Sequence, residues 1–123
     1  RRVLIVEDDP ETLGAVHDVL AMEGSILTVA SNAQQALELA EAGTFDLVLS
    51  DLAMPDMDGF QLIAELRRRP RSAGWPAIAV SGFGRADDAA RASAAGFDAH
   101  LSKPLSIDEL QEAYARLLAA AGW

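Results

Sequence analysis

The sequence predicts an α/β fold in which a parallel sheet of five strands is covered by helices on both faces. Apolar runs of strand length alternate five times with segments of helical spacing along the 123 residues. Three of these runs are almost continuously apolar, which is typical of parallel strands that are buried on both faces. Because such strands are joined by right-handed crossovers, the predicted architecture is a small doubly wound sandwich.

Each strand is predicted from one of the apolar runs. The first, third and fourth runs are the strongest. The second and fifth are weaker, so we expect these two strands at the edges of the sheet. The predicted strands are residues 3–6, 25–30, 45–50, 77–80 and 99–101.

The helices are predicted from apolar spacing and from residues that favour helix ends. Ser31 and Ser106 are expected to cap the second and fifth helices. Asp9 precedes the first helix, and we expect it to act as a helix cap rather than as part of a site. The third and fourth helices are predicted at residues 59–69 and 85–95.

Composition and charge limit the class of protein. We expect one domain over residues 1–123, because a chain of this length buries a core without disulfides or metal ions. The net charge of −9 opposes direct binding of nucleic acid, so a protein is the expected partner. The chain has no cysteine, no apolar run of bilayer length and no signal peptide, which predicts a cytoplasmic domain without membrane contact. It begins without methionine, so we expect it to be part of a longer protein.

Charged residues follow three of the predicted strands. Glu7 and Asp8 follow the first strand, Asp51 the third and Lys103 the fifth. Because the carboxyl ends of parallel strands meet at one edge of a sheet, we expect these side chains to form one site. Taken singly, each could instead be a solvated strand end, a turn aspartate or a surface lysine. Together they suit a phosphoryl group and a divalent cation, and an oxygen-only ligand set favours Mg²⁺, Mn²⁺ or Ca²⁺ over zinc or copper.

Five short stretches form a specific joint pattern. They are LIVEDDP at 4–10, LVLSDLAMP at 47–55, MDG at 57–59, AVSG at 79–82 and HLSKP at 100–104. In this order they closely resemble the receiver domain of bacterial two-component response regulators, and the resemblance covers the whole chain. It implies a flavodoxin-like sheet with strand order 2-1-3-4-5. The segment 96–101, which contains His100, is also similar to receivers attached to hybrid sensor histidine kinases.

The resemblance implies a role for each matching acidic residue. Asp51 would accept a phosphoryl group from a phosphohistidine on a histidine kinase or a histidine phosphotransfer protein. Asp8 directly, and Glu7 through water, would hold Mg²⁺ or Mn²⁺. Asp51 and the backbone carbonyl of Ala53 would complete this ligand set. The charges agree with these roles, because carboxylates at close range need either a cation or raised pKa values.

The resemblance also implies a phosphoryl contact and a conformational switch. Lys103 would pair with the phosphoryl oxygens, and the peptide bond between Lys103 and Pro104 would be cis. Ser81 would hydrogen-bond the phosphoryl group and carry the signal onward, although a serine at a strand end can also simply form a turn. His100 stands where many receivers have tyrosine or phenylalanine. It is therefore expected either to act as the switch or to be an exposed histidine on an edge strand.

Two residues are expected to control how long the phosphoryl group persists. Ala53 and Phe83 lie two positions after Asp51 and Ser81, where receivers flank the path of the attacking water. Neither side chain can hydrogen-bond a water molecule, so we expect slow loss of the phosphoryl group.

The predicted function is signalling, in a domain that catalyses only its own phosphorylation and dephosphorylation. A change of conformation would control an output domain in the same chain or a partner protein. One alternative is a phosphatase with an aspartyl-phosphate intermediate, which usually carries a second aspartate where Ala53 stands. Another is a flavin-binding electron carrier, which needs a phosphate loop rich in small polar residues where Glu7 and Asp8 stand.

Four further side chains are assigned no part in the site. We expect His17 to pack against the apolar face of the first helix. Arg67 belongs to a run of three arginines that is expected to form a solvated helix end. Trp75 and Trp123 indicate no role.

Overall fold

Five strands alternate with five helices in the structure, a computed structural model that describes residues 1–54, 56–82 and 87–122. The elements are β1 (Arg2–Val6), α1 (Pro10–Met22), β2 (Ile26–Ala30), α2 (Ala33–Ala42), β3 (Leu47–Asp51), α3 (Gly59–Arg68), β4 (Ala77–Ser81), α4 (Asp88–Ala95), β5 (Ala99–Ser102) and α5 (Ile107–Ala120). Each strand lies within two residues of its predicted bounds. The start predicted for the fourth helix, residue 85, lies outside the described residues. None of the described helices combines the length and the apolar character that crossing a bilayer requires.

The five strands form one parallel sheet in the order β2-β1-β3-β4-β5. This confirms the flavodoxin-like doubly wound fold and the positions of the second and fifth strands at the edges. The register pairs Val6 with both Ala30 and Ser50, and Ser81 with Ser102. The carboxyl ends of the strands therefore lie side by side along one edge of the sheet.

Each face of the sheet is covered by its own apolar layer. Because side chains alternate along a strand, Val3 and Ile5 pack in the layer with α1 and α5. Leu4 and Val6 point to the opposite face and pack with α2, α3 and α4. These four side chains are at most 1% exposed, and full burial of each stabilises the fold by about 1.5–3 kcal/mol. The charged residues that follow the strands therefore lie beyond these apolar layers.

Two of the three predicted helix caps are confirmed. The Asp9 carboxylate accepts hydrogen bonds from the Thr12 backbone amide at 3.3 Å and from the Thr12 hydroxyl at 2.6 Å. The Ser106 hydroxyl accepts one from the Glu109 amide at 3.3 Å. Both residues therefore satisfy free N–H groups in the first turn of a helix.

The third predicted cap is wrong by one residue. Asn32, not Ser31, caps α2, and its side-chain oxygen accepts a hydrogen bond from the Gln35 amide at 2.9 Å. The Ser31 amide instead donates to the side chain of Gln35 at 2.8 Å. Serine and asparagine are almost equally good caps, so the sequence did not distinguish these neighbours.

Arg67 is not part of a solvated helix end, contrary to our expectation. Its guanidinium donates to the Gly96 carbonyl at 2.8 and 3.0 Å and to the Trp75 carbonyl at 2.6 Å. It also pairs with the Asp98 carboxylate at 3.1 Å. Arg67 therefore ties the end of α3 to the segment before β4 and to the turn before β5.

The interpretations of His17 and Trp75 also change. His17 does not pack against the apolar face of α1, because its side chain is 70% exposed. Trp75 is buried and packs edge-on against Phe45, with ring centroids 5.6 Å apart. Trp123 lies outside the described residues.

Gly59 allows α3 to begin directly against the end of β3. A Cβ atom at this position would lie 2.5 Å from the Asp51 carbonyl oxygen and 2.8 Å from the Leu52 Cα, both of them backbone atoms. The Gly59 amide also donates to the Leu52 carbonyl at 3.0 Å. A side chain here would therefore push the helix away from the segment that carries Asp51.

We predict that Gly59→Ala destabilises the domain by about 1–3 kcal/mol, because the added methyl group overlaps backbone that cannot move aside. Gly14→Ala is the matched control, since Gly14 is a helix residue with nothing near its Cβ position. The control should stabilise the domain by about 0.5–1 kcal/mol. Urea unfolding of both variants measures the difference, and equal effects would contradict this account of the β3–α3 contact.

Candidate functional site

The residues predicted to form a site lie together at the carboxyl edge of the sheet. Asp51 is the last residue of β3, Glu7 and Asp8 directly follow β1, and Lys103 directly follows β5. Glu7, Asp51 and Lys103 continue the alternation that places their strand neighbours in the layer with α1 and α5. Strand periodicity therefore directs these three side chains to the same side of the sheet.

Glu7 is a buried carboxylate with both oxygens in use. Its Oε2 atom accepts hydrogen bonds from the backbone amides of Asp8 at 3.1 Å and Asp9 at 3.2 Å. Its Oε1 atom lies 2.9 Å from the Lys103 ammonium nitrogen. Burial raises the pKa of Glu7, the hydrogen bond from Lys103 opposes this rise, and the Asp51 charge adds to it. Keeping this buried carboxyl group ionised therefore costs free energy, and a further positive charge nearby would reduce that cost.

Asp51 is 5% exposed and held by two different groups. Its Oδ1 atom accepts a hydrogen bond from the Ala53 backbone amide at 3.1 Å. Its Oδ2 atom lies 3.4 Å from the Lys103 ammonium nitrogen. Because both oxygens have contacts, the orientation of the carboxylate is fixed at the carboxyl edge of the sheet.

Lys103 is the cation between the two buried carboxylates. Burial alone would lower its pKa, but the hydrogen bond to Glu7 and the charges of Asp51 and Glu7 outweigh burial, so the pKa lies above its usual value. The ammonium therefore stays charged at neutral pH. The peptide bond between Lys103 and Pro104 is cis, and the Lys103 amide donates to the Ser81 carbonyl at 2.7 Å.

The third member of the acidic cluster is Asp8, whose side chain is exposed. Glu7, Asp8 and Asp51 each offer a carboxylate oxygen, and these oxygens lie within 4.8 Å of one another. Three carboxylates and one ammonium leave this cluster with a net charge of −2. Asp9 is occupied as a helix cap, and the hydrogen bond from Thr12 lowers its pKa.

Ser81, the last residue of β4, forms a contact with His100 of β5. The Ser81 Oγ atom and the His100 Nε2 atom are 2.7 Å apart, and the tautomer of the ring decides which atom donates. Ser81 is 4% exposed and His100 is half-buried. The two predicted switch residues therefore touch each other, and His100 is not a fully exposed edge residue.

The structure brings most of the predicted site residues together, with two qualifications. The side chain of Ala53 is exposed, and Ala53 contacts Asp51 through its backbone amide. Phe83 lies outside the described residues.

A cleft that was not predicted from the sequence lies beside the cluster. It has a volume of about 470 Å³ and lies between the start of α1 and the segment after β5. Its lining includes Thr12, Gly82, Lys103, Pro104 and Leu105. No local sequence signal indicates such a cleft, because its walls come from segments that are distant in the chain.

Comparison with known proteins identifies the family of this chain. Residues 3–115 match the family model of the response regulator receiver domain. The uncharacterized 14.6 kDa protein in the sodA1 3'region of Leptolyngbya boryana is 44% identical over 108 residues, which are 88% of this chain and 82% of that protein. The transcriptional regulatory protein TcrA of Mycobacterium tuberculosis is 32% identical over 96% of this chain, which spans only 45% of TcrA.

A solved structure gives the same relationship. The receiver domain of the sensor histidine kinase PA1611 from Pseudomonas aeruginosa PAO1 matches with a TM-score of 0.87 at 28% identity, covering 97% of this chain and 98% of that chain. That receiver has a magnesium ion coordinated in its active site cleft. The family match spans nearly the whole chain, and the carboxyl edge of the sheet carries the predicted acidic cluster. This chain therefore belongs to the response regulator receiver domain family.

Proposed function

We propose that Asp51 is the phosphoacceptor of this receiver domain. The observation that carries the proposal is that Asp51 is a buried carboxylate held by the Ala53 amide and by Lys103, beside two other acidic groups. In the proposed reaction, an Asp51 oxygen bonds to phosphorus while the phosphorus–nitrogen bond of a phosphohistidine breaks and its imidazole leaves. The donor would be a histidine kinase or a histidine phosphotransfer protein.

The acidic cluster fits a divalent cation. Its oxygens lie within 4.8 Å of one another, and the described contact of buried Glu7 Oε1 is the Lys103 ammonium at 2.9 Å. We propose that Glu7, Asp8 and Asp51, together with the Ala53 carbonyl, hold Mg²⁺ or Mn²⁺. When bound, the cation would offset the negative charge on the transferring oxygens.

Lys103 is placed to contact the phosphoryl group. Its ammonium lies 3.4 Å from the Asp51 carboxylate and stays charged at neutral pH because its pKa is raised. Phosphorylation adds about one further negative charge at Asp51. We propose that the ammonium and the Ser81 hydroxyl respond to this charge, and that movement of Ser81 changes its contact with His100 on β5.

The two alternative activities have less support. A phosphatase of the aspartyl-phosphate type would need a general acid where Ala53 presents a methyl group. A flavin carrier would need phosphate donors after β1, where Glu7 and Asp8 place carboxylates. We therefore propose signalling, through a cytoplasmic domain that acts on an output domain or a partner protein and contacts neither nucleic acid nor membrane. The longer relatives, of which this chain spans 45% in TcrA, suggest a further domain in the same protein.

We expect acetyl phosphate with Mg²⁺ to add one phosphoryl group to the domain, because both the acceptor and its charge-balancing groups are in place. Asp51→Asn should carry no adduct, and excess EDTA should abolish the adduct in the unmodified domain. Asp18→Asn is the matched control, since Asp18 is 83% exposed on α1. Intact-mass measurement gives the count, and a full adduct in Asp51→Asn would exclude the assignment.

Removal of Asp8 should stabilise the domain without metal and abolish its stabilisation by Mg²⁺. The physical reason is that Asp8 adds repulsion to the cluster when no cation is bound, whereas cation binding to the native state shifts the unfolding equilibrium. Thermal unfolding of Asp8→Ala, with and without Mg²⁺, measures both effects, and roughly 1 kcal/mol corresponds to about 4 °C. If Asp18→Ala responds as Asp8→Ala does, the effect is general and the cluster is not the cation site.

Ala53 and Phe83 are proposed to slow hydrolysis of the phosphoryl group. Neither side chain can position a water molecule, so the double variant Ala53→Asn, Phe83→Glu should lose its phosphoryl group faster. A tenfold faster decay would correspond to about 1.4 kcal/mol of lost barrier. Decay is followed by intact mass after removal of the donor, and an equal or slower rate in the double variant would refute the proposal.

A further inference from the structure

The contact between Ser81 and His100 lies on the opposite face of the sheet from the acidic cluster. Ser81 continues the alternation of Ala77 and Ala79, which pack in the layer with α2, α3 and α4. His100 pairs in register with Ala79, so it points to the same face as Ser81. The 2.7 Å contact therefore joins β4 to β5 on the side that α4 covers.

The Ser81 hydroxyl has a single proton, and this limits what it can donate to. If the neutral ring of His100 presents Nε2 as an acceptor, the hydroxyl donates to the ring and has no proton left for a phosphoryl oxygen. If Nε2 carries a proton, the ring donates to Ser81 Oγ and the hydroxyl proton is free. The imidazolium always carries this proton, whereas the neutral ring does so in only one tautomer.

We propose that this contact makes the response of the domain depend on pH, because protonation of His100 favours the phosphorylated form. The inference rests on the proposed function, since it needs a phosphoryl group at Asp51. Protonated His100 would donate to Ser81 Oγ while the Ser81 hydroxyl donates to a phosphoryl oxygen. The positive charge of the ring would also be attracted to the charge that phosphorylation adds.

The charged groups around His100 are present in both forms of the domain. Glu109, Glu112 and Arg116 of α5 line a cleft with His100, and Asp98 lines a cleft on its other side. The described residues of α4 that line this second cleft, Ala89 and Ser93, carry no charge. From β4 it is Ser81 that contacts the ring, and Lys103 lies beyond the end of β5 at Asp51. These groups are common to both forms, so a difference between the forms must come from Ser81 and the new charge.

Linkage fixes the size and the direction of the effect. If protonation of His100 favours the phosphorylated form tenfold, phosphorylation must raise the pKa of His100 by one unit. Histidine is the side chain whose charge ordinarily changes near physiological pH, so the coupling would act in that range. Lower pH would then stabilise the phosphorylated form.

The test is a pH titration of both imidazoles by NMR, with and without acetyl phosphate and Mg²⁺. The sequence has only two histidines, so His17 is an internal control in the same spectrum. His17 is exposed on α1, and its pKa should not change on phosphorylation. The pKa of His100 should rise by about 0.5–1 unit, which corresponds to a preference of roughly 3- to 10-fold.

Two variants of Ser81 separate the contact from charge alone. Ser81→Ala removes the hydroxyl and should reduce the rise in the pKa of His100 to less than about half of the rise in the unmodified domain. A smaller rise should remain because the phosphoryl charge still attracts the imidazolium. Ser81→Thr keeps a hydroxyl and should retain the full rise. An unchanged rise in Ser81→Ala would overturn the role of the contact.

Intact mass of each NMR sample separates failure of this inference from failure of the proposed function. A domain that carries the phosphoryl adduct but shows no rise at His100, or an equal rise at His17, would overturn the pH coupling alone. An unmodified domain without an adduct would overturn the proposed function and the coupling together.

Discussion

The ion pairs of one ammonium with two buried carboxylates are the interaction on which this site depends. Lys103 lies 2.9 Å from Glu7 and 3.4 Å from Asp51, and neither carboxylate has full access to water. Removing one partner from such a group leaves a buried charge uncompensated, which is strongly destabilising. Because the ammonium balances only part of the negative charge, the cluster keeps a net negative charge that a bound cation would offset.

The fold supplies the precision that this arrangement needs. Strand alternation directs Glu7, Asp51 and Lys103 to one side of the sheet, and two apolar layers keep the strands rigid. Gly59 lets α3 pack against the backbone of Asp51 itself. On the other side of the sheet, Ser81 contacts His100 at the sheet edge. The site thus lies at the end of the sheet and contacts groups on both of its faces, so a change at the site can reach both apolar layers.

The sequence predicted the features that follow from local pattern and strand ends. Asp51 and Lys103 were predicted to meet because parallel strands share one edge, and the structure confirms that juxtaposition. The contacts of Arg67 were not predictable, since its partners are backbone carbonyls and the Asp98 carboxylate, as many as 31 residues away. The exposure of His17 was predicted wrongly because a helical residue beside the apolar stripe can face either the core or the solvent. The roles of the site residues, as distinct from their positions, remain proposals.

The central claim is that the acidic cluster binds one divalent cation beside Asp51. Anomalous diffraction from crystals of the domain grown with millimolar Mn²⁺ tests this claim most directly. We expect one manganese peak bounded by Glu7, Asp8 and Asp51, with carboxylate oxygens as ligands and the contact between Lys103 and Asp51 retained. A peak elsewhere, or the absence of a peak at these three carboxylates, would contradict it.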